Sequence, residues 1–74
     1  MEKVYIVSRC IKENNHHHYL FNFKGFYRGN KIKEIITSGS SFVINEDYLV
    51  LLTEIRVRDK VLYGKVIKSK KLFT

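Results

Sequence analysis

The sequence predicts an all-β domain, a small five-stranded antiparallel barrel, on three observations. Apolar residues recur with a period near two over most of the 74 residues, broken by short turn signals. No long stretch shows a clean helical period, so no amphipathic helix is predicted. Proline is absent, so no strand lacks a ladder donor. Closure of the sheet is expected because it removes unpaired edges that invite aggregation. The length allows one domain, 1–74, in which 69–74 reads as a basic C-terminal tail.

The elements follow in order. Lys3 to Lys12 sets Val4, Ile6, Ser8 and Cys10 on one face and Tyr5, Val7, Arg9 and Ile11 on the other; β-branched and aromatic residues suit a pleated surface. Glu13 to His17 is a polar loop. In the second run, His18 to Tyr27, Tyr19, Phe21 and Phe23 oppose Leu20, Asn22, Lys24 and Phe26. Which face points inward stays open, since a one-residue slip or a bulge reverses it. Gly25 marks a bulge or a barrel corner.

Arg28 to Lys31 is a turn, where Gly29 and Asn30 tolerate positive φ. The third run, Lys31 to Thr37, also fits a turn or two of helix. The preceding hairpin turn and its β-branched residues favour a strand. Ser38 to Ser41 is a loop, and Phe42-Val43-Ile44 is a strand extension or a plug under the barrel. After the turn Asn45 to Asp47, the run Tyr48 to Val57 begins apolar on both faces, as a mid-core strand does. Arg58-Asp59-Lys60 turns the chain into the fifth run, Val61 to Lys68. Short turns between these runs imply a meander.

The strand order, the place of Gly25 and the paired stretches Asp47-Tyr48-Leu49-Val50-Leu51 and Val61-Leu62-Tyr63-Gly64-Lys65-Val66 resemble a minimal OB barrel (oligonucleotide/oligosaccharide-binding). The resemblance covers most of the chain. It implies a ligand face on strands two and three with their flanking loops. Many such barrels carry a helix between strands three and four. Only 37–45 is available for it here, which implies a barrel open at one end. An SH3-like barrel is the alternative.

Lys and Arg number 14 and Asp and Glu 7, a net charge of +7. That excess draws polyanions, though solubility alone is an equal reading of composition. The stretch Tyr19 to Arg28 interleaves aromatic and basic residues. Cations track phosphates while rings stack on bases, the chemistry of single-stranded nucleic-acid binding. The candidate binding residues are Arg9, Tyr19, Lys24, Phe26, Tyr27, Arg28, Lys31, Lys33 and Lys65. Against this, a small barrel needs large aromatics to fill its interior. The expected partner is single-stranded DNA or RNA, with no preference legible between them. The alternative is an assembly module, a homo-oligomer formed through an exposed strand edge. The basic tail reads as a phosphate-contacting arm or a solvated end.

Cys10 stands alone, so neither an internal disulfide nor a thiolate zinc site is available. It is expected to be a buried, inert thiol in a reducing compartment. The N-terminus lacks a signal-peptide run, and the longest apolar run, Tyr48 to Leu52, is far too short to span a membrane. A cytoplasmic location with no membrane partner follows as the expectation. His16-His17-His18 has only Glu13 nearby and reads as a solvated loop rather than a metal site. Ser38-Gly39-Ser40-Ser41 lacks the lysine and second glycine of a phosphate loop. Serines and carboxylates elsewhere form no acid–base pair. No enzyme, cofactor, metal or small-molecule substrate is expected.

Overall fold

Residues 2–14 and 17–72 are described in a computed structural model. His16 of the histidine run and residues 73 and 74 of the tail lie outside the described residues. The strands are β1 (Val4–Asn14), β2 (His18–Phe21), β3 (Gly25–Tyr27), β4 (Asn30–Ile32), β5 (Glu34–Ser38), β6 (Asp47–Arg58) and β7 (Val61–Lys71). Five of them close a barrel in the order β1-β2-β5-β7-β6, while β3 and β4 form a separate two-stranded hairpin.

The all-β class and the five-stranded barrel stand. The purely antiparallel meander does not. β5 runs parallel to β7, from Glu34 beside Val61 to Ser38 beside Lys65. β6 lies beside β1 rather than β5, with Val4 opposite Leu52 and Arg9 opposite Asp47. The spatial order β6-β1-β2-β5 is a Greek key, in which a fourth strand returns beside the first.

The cause lies in the connection 39–46, which crosses one end of the barrel. Its Phe42 is buried edge-on against Tyr48, Phe21 and Tyr19, with ring centroids 4.8, 4.9 and 5.6 Å away. The Tyr48 hydroxyl accepts the Val43 N–H at 2.8 Å. The Cys10 N–H donates to Glu46 O at 3.0 Å, and the Asn45 N–H donates to Cys10 O at 2.7 Å. So 42–44 is a plug, not a strand extension, and the end expected to be open is covered by an aromatic ring.

Two predicted runs are each divided. The second breaks after Phe21 and the third at Lys33, where the β3–β4 hairpin leaves the barrel wall. Ile32 stays fully buried and anchors the hairpin to the core. The inward face of the second run is the one carrying Tyr19 and Phe21. Residues 69–71 are no tail: they continue β7 opposite Val50, Leu49 and Tyr48.

The long strands bend at irregularities. β1 shifts register between Cys10 and Lys12, so its first half pairs with β6 and its second with β2. β6 shifts between Thr53 and Arg56, where Glu54 adopts a φ of 52°. β7 passes close to this bulge at Gly64. A Cβ there would lie 3.1 Å from the Leu52 Cβ, so only glycine fits without displacement. The turn Asp59-Lys60 has positive φ at both central residues, 53° and 66°, which matches the twist of a two-residue hairpin.

Among the described residues, one buried side-chain polar atom lacks a partner. The Ser8 hydroxyl is buried with no hydrogen-bond partner. Leaving such a group unsatisfied costs roughly 1–3 kcal/mol. Ser8→Ala is therefore expected to stabilise the barrel by about 1 kcal/mol in urea unfolding. A loss of that size instead would contradict the unpaired state.

Candidate functional site

The outward side chains of β2, β5 and β7 form a shallow groove on the barrel wall. His18 comes from β2, Ile36 and Ser38 from β5, and Tyr63 and Lys65 from β7. The second half of β6 contributes Arg56 and Arg58, and the end of β1 contributes Lys12 and Glu13. The groove comprises three adjoining depressions of about 490, 670 and 630 Å³, and Arg56 and Tyr63 line all three.

Register explains this centre. The two-residue turn at 59–60 sets Arg58 opposite Val61 and Arg56 opposite Tyr63. Parallel pairing sets Ile36 beside Tyr63 from the other side. Ile55 and Val57 pack against the core, so the alternation turns Arg56 and Arg58 outward. The Arg56 guanidinium lies 5.9 Å from the Tyr63 ring centroid, within cation–π range.

The groove is lined by Lys12, Arg56, Arg58 and Lys65, against Glu13 and Glu54. The ion pairs among the described residues are Arg9–Asp47, Arg28–Glu2, Lys71–Glu46 and, when its histidine is protonated, His17–Glu13. None of them engages the four groove cations. Their charge is available to an incoming anion.

The nine sequence candidates fall in different places. Lys65 lies in the groove. Lys24, Phe26, Lys31 and Lys33 are exposed on the β3–β4 hairpin, where Phe26 pairs directly with Lys31. Tyr27 points the other way and packs against the core. Its phenol is pushed above its ordinary value, chiefly by a hydrogen bond to Glu2 and then by burial. Arg28 is bound to Glu2 at 3.2 Å and covers the Tyr27 ring.

Two further candidates are likewise engaged elsewhere. Tyr19 is a core residue, 6% exposed against Phe42, and its ring has no open face for a base. Arg9 is committed to Asp47 by two hydrogen bonds of 3.0 and 3.3 Å. That bond raises the arginine pKa and lowers that of the aspartate. Lys12, His18, Arg56, Arg58 and Tyr63 were not among the sequence candidates. The signal for the last three was the turn: a two-residue reading of Asp59-Lys60 fixes Arg56 against Tyr63 by counting.

Cys10 is fully buried, and burial pushes its thiol up. Among the described residues no group of three or more His, Cys, Asp or Glu converges as a metal site. No helix among them is long and apolar enough to cross a membrane. No protein-family model, curated protein or solved structure matches this chain.

Proposed function

We propose that the chain is an OB-type barrel and that the groove centred on Tyr63 binds single-stranded nucleic acid. The observation that carries this reading is the convergence on one concave face of an aromatic ring and four cations that no ion pair among the described residues engages. Two further features support it. The Greek-key order and five-strand closure fit an OB barrel. The groove also reaches the region such barrels use, strands two and three, through His18 of β2 and Ile36 and Ser38 of β5.

In this reading Lys12, Arg56, Arg58 and Lys65 neutralise phosphates. Tyr63 offers a ring face to a base, and Ile36 provides an apolar floor. Such recognition tolerates sequence because every base has a π-face. The test is fluorescence anisotropy with a labelled six-nucleotide strand, comparing the native chain with Tyr63→Ala.

A second reading, self-assembly, draws on the opposite wall. Tyr5 and Val7 on β1 are 58% and 61% exposed, next to Leu49 and Leu51 on β6. The free edge of β7 beyond Lys65 is a weaker surface, because Lys68, Lys70 and Lys71 blunt it with charge. A stable dimer in sedimentation together with no oligonucleotide binding would favour this reading.

A further inference from the structure

We propose that a bound strand does not end at the groove but continues onto the β3–β4 hairpin, where Phe26 stacks a further base. The inference rests on the groove reading and extends it to a two-part site. Phe26 is 72% exposed, the most exposed of the large apolar side chains among the described residues. A ring so placed contributes nothing to the core, while its hairpin is already anchored by Ile32 and Tyr27 on the other face.

The surroundings of Phe26 are those of a stacking platform. Lys31 sits directly across from it in the ladder, and Lys24 and Lys33 flank the end of that ladder at Gly25 and Ile32. All three lysines are exposed, and no ion pair among the described residues uses them. Cations around an exposed ring match a phosphate chain whose bases can turn out.

The hairpin is also joined to the groove. The Lys33 N–H donates to Lys60 O at 2.9 Å, so the foot of the hairpin is bonded to the turn at which the groove ends. Exposed cations then run from Arg56 and Arg58 through Lys60 to Lys33 and Lys31, with Asp59 and the half-buried Glu34 as the acids along the way. A strand long enough to leave the groove meets this track next. A duplex is a poor occupant, since its bases are not free to stack on Phe26.

The experiment is anisotropy with 6- and 15-nucleotide single strands on the native chain, Phe26→Ala and Tyr63→Ala. The native chain is expected to bind the longer strand more tightly. Phe26→Ala should weaken the 15-nucleotide complex by roughly fivefold or more and leave the 6-nucleotide complex unchanged. Tyr63→Ala should weaken both. If Tyr63→Ala weakens both while Phe26→Ala changes neither, the hairpin extension is wrong and the groove stands. If neither strand binds the native chain, the groove reading falls and the extension with it. Phe26 is exposed, so its replacement leaves the core intact and the comparison clean.

Discussion

Phe42→Ala is expected to destabilise the domain by about 3–5 kcal/mol, the range for truncating a buried phenylalanine. The ring is 7% exposed and meets Tyr19, Phe21 and Tyr48 edge-on. No other side chain of the connection 39–46 is buried to that degree. Removing the ring leaves a void bounded by three aromatic rings, which cannot collapse without moving β2 and β6. A domain of this size has roughly 4–11 kcal/mol of total stability. The variant should therefore lose a large share of it, with a fall in Tm on the order of 15–30 °C. Calorimetry or urea unfolding measures this. A loss below about 1 kcal/mol would mean that Phe42 does not close the barrel end.

The second large effect belongs to the groove. Tyr63→Ala is expected to weaken a short single strand by about 5- to 150-fold, the range for one stacking ring. Tyr63→Phe should retain binding, because the ring face is kept. Arg56→Gln should cost about tenfold through loss of a charged contact. Arg9→Gln should change little, since that guanidinium is already held by Asp47. Equal affinity for the native chain and Tyr63→Ala would remove the ring from the site.

Much of the fold was legible because period-two alternation is a direct consequence of strand geometry. Val4 to Ile11 and Val61 to Lys68 mark themselves as strands by their β-branched and aromatic residues. The closing plug was half legible: Phe42-Val43-Ile44 reads as a plug or a strand extension, and local pattern does not decide between them. The parallel β5–β7 pair was hidden, since it depends on how 39–46 crosses the barrel and not on any local pattern.

The site was less legible than the fold. The aromatic density of Tyr19 to Arg28 drew attention to one run, yet that run splits, with Tyr19 and Phe21 in the core and Phe26 outside. The groove assembles from single residues on β1, β2, β5, β6 and β7. Arg56 and Arg58 sit beyond the Glu54 bulge, which resets the alternation read from Tyr48 onward. A three-residue reading of the turn 58–60 offset the pairing that brings Arg56 to Tyr63. Local periodicity predicts a strand, but register decides which strands share a face.

The most direct test of the central claim is the salt dependence of binding for a six-nucleotide single strand. Four phosphates neutralised by Lys12, Arg56, Arg58 and Lys65 give a slope of log K against log salt near −2.8, or about a 50-fold loss between 50 and 200 mM. A slope of that order, lost in step with the groove cations, is the predicted result. No binding at 50 mM, or binding indifferent to salt, would contradict a phosphate-tracking groove.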